Sequence, residues 1–124
     1  MRRGERAGVW VVAALVLTLI KPSHIEAICS GYPKSCSQIR YIGTTLHGMC
    51  ESYDEGTKKT SLDLNLCFSN DQGQLKWHPI GQFAKSCSPG RLLETNLYTT
   101  CNKRSLEVDV NKHVANQNGV LVCC

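Results

Sequence analysis

The cysteines are spaced in a way that reveals an internal duplication of the chain. Cys36 and Cys50 lie 14 residues apart, and so do Cys87 and Cys101. The tetrapeptide Lys-Ser-Cys-Ser surrounds the first cysteine of each pair, displaced by 51 residues. Two copies are too few for a solenoid array, which needs at least three repeats. The chain is therefore expected to fold as two similar halves that close on each other.

The duplication continues into the second part of each copy and indicates β structure. An apolar-Asp-apolar-Asn motif at 62–65 recurs at 108–111, and Asn-x-x-Gly at 70–73 recurs at 116–119, which leaves five extra residues in the first copy around 53–59. Leu62, Leu64 and Leu66 alternate with polar residues, as in a half-buried strand. Gly73 and Gly119 can supply the positive φ of a hairpin loop. We predict a mainly β fold, with single helical turns at 66–69 and 112–115.

The amino terminus differs in character from the rest of the chain. Arg2, Arg3 and Arg6 precede an apolar run at 9–20, and a short polar stretch then ends at Ala27. The run is shorter than the roughly 20 apolar residues that a bilayer-spanning helix needs. We interpret residues 1–27 as a secretory signal peptide, with an amino-terminal membrane anchor as the alternative. The secreted, extracellular domain would then comprise residues 28–124, with repeat one at 29–77 and repeat two at 80–124.

Charge and cysteine content narrow the function of the secreted part. Residues 1–27 contain four basic and two acidic side chains, so their removal lowers the formal net charge from +4 to +2. No run of Lys or Arg remains, which argues against nucleic acid as a partner. All 8 cysteines remain, which indicates disulfides formed in an oxidising compartment. The Cys-x-x-Cys knuckles of structural zinc modules are absent, so we predict no metal site and no cofactor.

The duplication also predicts two disulfides. If the copies fold alike, each closes its own loop, which gives the pairs Cys36–Cys50 and Cys87–Cys101. A loop of about 15 residues contributes roughly 3 kcal/mol in the chain-entropy description of disulfides. These bridges would therefore add substantially to the stability of a domain this small.

The other four cysteines have no cysteine at the equivalent position of the other copy. We expect Cys29 to pair with Cys123 or Cys124, which would fasten the start of the mature chain to the last strand. Cys67 would then take the other terminal cysteine or stay free. A vicinal bridge between Cys123 and Cys124 is the least favourable arrangement, because it would strain the intervening peptide.

The sequence holds no recognisable catalytic motif. HExxH, GxSxG and CxxC are all absent, and no repeated pair of acids lies beside a histidine. Asp63 and Asp109 recur in the two copies, but each precedes an asparagine, so a capping role at a strand end explains them better. His113 occupies the repeat position of Cys67, which favours packing. We therefore predict that the protein is not an enzyme and has no catalytic residues.

Several motifs together resemble the cyanovirin-N homology (CVNH) family of lectins. Ser-Leu-Asp-Leu-Asn at 61–65 and the Asn-x-x-Gly-x-Leu-Lys-Trp-x-Pro pattern at 70–79 resemble the first repeat of that family. The segments 108–111 and 113–121 are similar to its second repeat, and the resemblance extends over 29–124. It implies one pseudo-two-fold domain whose repeats exchange strands, built from triple-stranded sheets and β-hairpins and joined by disulfides. It also implies a metal-free lectin for α1-2-linked mannose in high-mannose glycans.

The resemblance further implies one sugar site in each half. Residues for the first, preferred site come from both repeats: Gly31, Lys34, Ser35, Glu51, Tyr53, Asn116, Gln117 and Asn118. The second set is equivalent in position: Asn70, Asp71, Gln72, Gln82, Lys85, Ser86, Asn102 and Arg104. The alternative interpretation is that these residues only form turns, in which Asn, Asp and Gly are common.

Some residues depart from the family pattern and favour a second hypothesis. Lys34 and Lys85 stand where the relative used for comparison has an amide and an acid. These lysines, with the longer loop at 53–59, support the alternative of a secreted protein-binding or inhibitory module with degenerate sugar pockets. The segment Trp77-His78-Pro79 resembles the family's hinge. We accordingly expect a monomer without membrane contact, with a domain-swapped dimer as the alternative state.

Overall fold

The computed structural model describes residues 29–124, so the predicted signal peptide at 1–27 lies outside the described residues. This part of the chain forms ten strands and short 3₁₀ turns, and none of its helices is long and apolar enough to cross a membrane. The prediction of a mainly β fold is confirmed. The strands are β1 (Cys36–Ile42), β2 (Thr45–Ser52), β3 (Gly56–Asp63), β4 (Phe68–Asp71), β5 (Gln74–Trp77), β6 (Arg91–Leu93), β7 (Asn96–Cys101), β8 (Arg104–Asp109), β9 (Val114–Gln117) and β10 (Val120–Cys123).

The two repeats form matching sheets and exchange their hairpins. Strands β1–β2–β3 form an antiparallel sheet in repeat one, and β6–β7–β8 form its counterpart in repeat two. The hairpin β9–β10 packs against β3 and β2 of repeat one, whereas β5 of the hairpin β4–β5 packs against β8 of repeat two. Each half of the molecule therefore combines a sheet from one repeat with a hairpin from the other. The predicted strand exchange is confirmed.

A single core runs between the two halves and contains side chains from both repeats. Tyr32 and Phe83, which occupy equivalent positions, are almost completely buried, as are Phe68 and Leu97. The ring of His113 packs edge-on against Phe68 with ring centres 5.7 Å apart, in agreement with its predicted packing role. Each large apolar side chain buried in this way contributes about 1.5–3 kcal/mol. Neither repeat could bury these side chains alone, because the core lies between them.

The helical turns lie earlier in the chain than the sequence predicts. The expected turns at 66–69 and 112–115 are wrong: the structure has 3₁₀ turns at Leu64–Leu66 and Val110–Lys112. The side chains of Asp63 and Asp109 accept hydrogen bonds from the backbone N–H groups two residues later, both at 3.0 Å. These caps end the strands at the aspartates, so Leu64 enters the core while Leu66 is half exposed. The capping role predicted for both aspartates is confirmed.

Four disulfides connect the described cysteines. Cys36–Cys50 and Cys87–Cys101 close the equivalent intervals of the two repeats. Of the two terminal cysteines whose partners the sequence left open, Cys124 bonds to Cys29 and Cys123 bonds to Cys67. Both of these additional bridges join a residue before the Trp77-His78-Pro79 segment to a residue after it. They therefore link the two repeats covalently across that segment.

Candidate functional site

The first pocket lies where the hairpin β9–β10 meets the end of β2. It encloses about 200 Å³ and is lined by six polar residues from three segments of the chain: Ser35, Glu51, Ser52, Tyr53, Asn116 and Asn118. Five of these belong to the residue set expected for the first sugar site. Ser52 was not in that set, although its position directly after Glu51 in the sequence could have indicated it. The pocket is assembled from both repeats, as a consequence of the strand exchange.

Asn116 holds the two walls of this pocket together. Its side-chain N–H groups donate to the hydroxyl of Ser35 at 2.8 Å and to the backbone carbonyl of Glu51 at 2.9 Å. Its side-chain oxygen accepts from the backbone N–H of Gly119 at 2.7 Å. The amide is thus fully engaged within the protein. Asn116 positions the pocket walls, while the Glu51 carboxylate accepts no hydrogen bond from any described residue and is exposed.

The longer β2–β3 hairpin of repeat one forms one rim of the pocket. Tyr53 is 95% exposed, and its backbone N–H donates to the side-chain oxygen of Asn118 at 2.8 Å. The hydroxyl of Ser52 donates to the carbonyl of Gly56 and accepts from the N–H of Glu55, which closes the loop. The extra residues therefore carry an aromatic ring to the pocket edge. Repeat two has no equivalent, because its β7–β8 loop is only Asn102–Lys103.

Three residues expected at the first site do not line this pocket. The N–H of Gly31 donates to the backbone and side-chain oxygens of Asn111, so Gly31 fixes the start of the 3₁₀ turn Tyr32–Lys34. Lys34 is exposed at the end of that turn, and Gln117 is exposed at the end of β9.

A second pocket occupies the equivalent position in the other half. It encloses about 370 Å³, where the hairpin β4–β5 meets the β7–β8 loop, and its lining is Asn70, Gln72, Gly73, Cys101, Asn102 and Arg104. Four of these belong to the predicted second set; Gly73 and Cys101 do not. Asn70 repeats the role of Asn116, since it accepts from the N–H of Gly73 at 3.0 Å and donates to Ser86 Oγ at 3.1 Å.

The remaining residues of the second set lie outside this pocket. Asp71 makes a salt bridge to Lys76 at 3.5 Å, with both side chains about half exposed. Gln82 has a left-handed backbone at the start of the 3₁₀ turn Phe83–Lys85. Lys85 is exposed at the end of the same turn, and Ser86 follows it.

The buried Tyr32 and the partly buried Tyr41 have shifted pKa values. Burial, reinforced by the charge of Asp109, raises the pKa of Tyr32 to about 12. Burial, reinforced by Asp63, likewise raises the pKa of Tyr41 to about 12. Within residues 29–124, no group of three or more His, Cys, Asp or Glu side chains is placed to hold a metal ion. The first pocket offers hydrogen bonding by carboxylate, amide and hydroxyl groups, and the second pocket offers hydrogen bonding by amide and guanidinium groups.

The fold and the paired polar pockets define a class of small, pseudo-symmetric β proteins with exchanged hairpins. A family model described as the CVNH domain matches residues 32–122. The chain therefore belongs to the CVNH family, and the resemblance found in the sequence is confirmed.

Solved structures agree with this membership. The structure of TbCVNH from T. borchii shares 26% identity, with a TM-score of 0.65 over 76% of this chain and 99% of that chain. The crystal structure of a MoCVNH3 variant in complex with (N-GlcNAc)4 shares 19% identity, with a TM-score of 0.69 over 77% and 97%. A microvirin–mannobiose complex shares 23% identity, with a TM-score of 0.62 over 73% and 95%. At these last two identities the likeness concerns the fold alone.

Proposed function

We propose that residues 28–124 form a secreted lectin that binds mannose oligosaccharides of the α1-2-linked, high-mannose type. Binding would use hydrogen bonds and no metal. In this proposal the signal peptide at 1–27 is removed before the domain reaches the extracellular space. Family membership supports carbohydrate binding, and the choice of mannose rests on the resemblance of the site residues to those of the family.

The observation that carries the proposal is the convergence of unsatisfied polar groups in the first pocket. Sugar hydroxyls both donate and accept hydrogen bonds. The Glu51 carboxylate offers acceptors, the Asn118 side chain offers N–H donors, and the exposed Tyr53 ring offers an apolar face. Asn116 fixes the walls before a ligand arrives, which reduces the ordering cost of binding.

Two pockets on one molecule would raise the strength of binding to a branched glycan. A shallow pocket of about 200 Å³ buries little of a sugar, so each site should bind weakly. If one glycan array spans both halves, the second contact becomes intramolecular and overall avidity increases. A single active pocket would give no such gain.

Titration of isotope-labelled protein with α1-2 mannobiose, followed by amide chemical shifts, tests the proposal. We expect shifts at Glu51, Tyr53 and Asn118, and parallel titration with (GlcNAc)4 compares the two sugar classes. Replacing the carboxylate in Glu51→Gln should weaken mannobiose binding about tenfold, because a charge-assisted hydrogen bond is lost.

Glu94→Gln is the matched control, since Glu94 is an exposed carboxylate in the β6–β7 turn and lines neither pocket. It should bind mannobiose like the unaltered protein. The proposal would be overturned if neither mannobiose nor (GlcNAc)4 shifted the amide signals of either pocket. A protein partner captured in excess mannose, together with a blank glycan array, would favour the alternative of a protein-binding module.

A further inference from the structure

The sheet β1–β2–β3 carries a groove that the proposed sugar pockets do not use. It encloses about 830 Å³, whereas the equivalent groove on β6–β7–β8 encloses about 410 Å³. The larger groove is lined by residues from all three strands: Gln38, Ile39, Arg40, His47, Gly48, Met49 and Lys59. The groove of repeat one is therefore about twice as large as that of repeat two.

A β-bulge lies along this groove. Gln38 and Ile39 have no Cα partner on β2, because the register shifts between Ser37 and Arg40, and Gln38 has a φ of 52°. Gly48 lies opposite the bulge, and a Cβ there would meet Ile39 Cδ1 at 2.9 Å, so the Ile39 side chain occupies the space beside this glycine. Bulges of this kind commonly redirect side chains at binding sites.

Repeat two has different side chains at the corresponding positions. Thr99 occupies the position equivalent to Gly48, and its hydroxyl donates to the backbone carbonyl of Ser88 and hydrogen bonds to the Ser88 hydroxyl. Gly90 stands in place of Ile39 in repeat two, so the threonine side chain takes the space that the Ile39 side chain occupies in repeat one. The grooves of the two repeats thus differ in several lining residues as well as in volume.

The register of the strands places two cations on the same face of the larger groove. Arg40 is the partner of His47, and Lys59 is the partner of Met49. Partners in an antiparallel pair share a face, and so do residues two apart on β2, so all four lie on one side of the sheet. Arg40 and Lys59 are exposed, and within residues 29–124 neither forms a salt bridge.

Acidic groups lie only at the two ends of this face. Asp63, beyond His47 along the sheet, is occupied by hydrogen bonds from the N–H of Asn65 and the hydroxyl of Thr44. Glu51, two residues after Met49, lines the first sugar pocket instead. The groove itself is therefore positively charged along its lining.

The same face in repeat two has a different character. Its residues equivalent to His47 and Lys59 are Tyr98 and Ser105, and Glu107 faces Tyr98 across the strands. The cation Arg91, equivalent to Arg40, thus shares its face with an acid. Repeat two provides an internal comparison in which the fold is kept and the positive charge is not.

We propose that the groove of repeat one binds an oxyanion, a sulfate ester or phosphate ester, carried on an oligosaccharide. Arg40 and Lys59 supply charge-assisted hydrogen bonds to it. The volume of the groove greatly exceeds that of one small ion. Met49, which lines the groove, and Glu51, which lines the first sugar pocket, lie two residues apart on β2, a distance of about 7 Å. The first pocket would then be the neighbouring subsite for a neutral sugar unit, and in this respect the inference rests on the proposed function.

Calorimetric titration with a sulfated glycosaminoglycan hexasaccharide tests the inference on the oxidised domain. Its desulfated counterpart, inorganic sulfate and phosphatidylserine vesicles are separate arms. We expect the sulfated hexasaccharide to bind at least about tenfold more tightly than the desulfated one. Amide shifts should center on Gly48 and Lys59. Equal affinity for the two hexasaccharides, or equally tight binding of inorganic sulfate or of vesicles, would overturn the inference.

Two double variants distinguish binding in this groove from general attraction between opposite charges. Arg40→Gln/Lys59→Gln should weaken hexasaccharide binding about tenfold or more. Arg91→Gln/Lys112→Gln removes the same charge from repeat two and should leave binding within about twofold at moderate salt. Equal losses in both variants would overturn the inference.

The neutral sugar distinguishes failure here from failure of the proposed function. Mannobiose shifts at Glu51 and Asn118 that persist in Arg40→Gln/Lys59→Gln would support the first pocket by themselves. Hexasaccharide binding without any mannobiose shift would support the groove alone.

Discussion

At the scale of single residues, Asn70 and Asn116 show how the walls of a candidate site can be held by side chains whose polar atoms already form hydrogen bonds within the protein. Each caps its hairpin turn through its oxygen and reaches a serine of the opposite wall through its nitrogen. Turn chemistry and a role at the site are therefore compatible in the same residue. The sequence identified both asparagines, but only their hydrogen bonds separate positioning residues from ligand contacts.

Tyr32 gives a prediction at this scale. Burial raises its pKa to about 12, whereas a tyrosine in the unfolded chain ionises near its ordinary value of about 10. Between these values the folded state keeps a proton that the unfolded state has lost, so stability falls as pH rises. Urea unfolding at pH 9 and pH 11 should show this loss, with up to about 1.4 kcal/mol per pH unit coming from Tyr32.

Tyr32→Phe should show a shallower loss between the two pH values, because one titrating group is removed. Tyr53→Phe serves as the control, since that ring is 95% exposed, and should keep the full loss. Equal losses for the unaltered protein and Tyr32→Phe would contradict the prediction.

At the scale of elements, the hairpins β4–β5 and β9–β10 have two-residue turns of the same type. Gln72 and Gly73 have φ values of 54° and 85°, and Asn118 and Gly119 have values of 51° and 89°. Positive φ at both central residues matches the right-handed twist of the flanking strands. The Asn-x-x-Gly motifs predicted these turns correctly because turn conformation depends on neighbouring residues.

The two glycines should differ in their tolerance of alanine. A Cβ at Gly119 would lie 2.6 Å from Lys58 Cδ and 3.1 Å from Ser52 Cβ, whereas one at Gly73 would meet only Arg104 Nη1 at 3.7 Å. Both substitutions pay about 1–2 kcal/mol for the left-handed backbone. Gly119→Ala should lower the free energy of unfolding by about 1 kcal/mol more than Gly73→Ala, measured by urea titration. Similar losses in the two variants would show that the contact with β3 relaxes freely.

At the scale of the whole molecule, the two additional disulfides join segments on either side of Trp77-His78-Pro79. Cys29–Cys124 and Cys67–Cys123 span 95 and 56 residues. The longer one contributes about 4.7 kcal/mol in the chain-entropy description, compared with about 3 kcal/mol for a 14-residue loop. A domain swap needs repeat two to leave repeat one, which these bridges prevent within one oxidised chain.

The oxidised protein should therefore remain monomeric after concentration and refolding. Replacing all four cysteines of these two bridges by serine should allow a dimer fraction, measured by sedimentation velocity. Removal of Cys36–Cys50, which closes within repeat one, is the control and should leave the protein monomeric. A dimer formed by the fully oxidised chain, without interchain disulfides, would contradict this prediction.

The sequence by itself determined the features that depend on near neighbours. These are the duplication, the β class, the hairpin turns and the capping aspartates, because strand period, turn φ and caps act within a few residues. It misplaced the helical turns, since alternation alone does not show where Asp63 ends the strand.

The tertiary structure decided the features that depend on residues far apart in the chain. Only the packed halves show that Cys123 reaches Cys67 and that Asn116 reaches Ser35. Only the register of three strands brings Arg40 and Lys59 to one face, although no run of basic residues marks them in the sequence. The physical reason is that strand pairing and hairpin exchange bring distant segments together according to how the whole core packs, which local spacing does not specify.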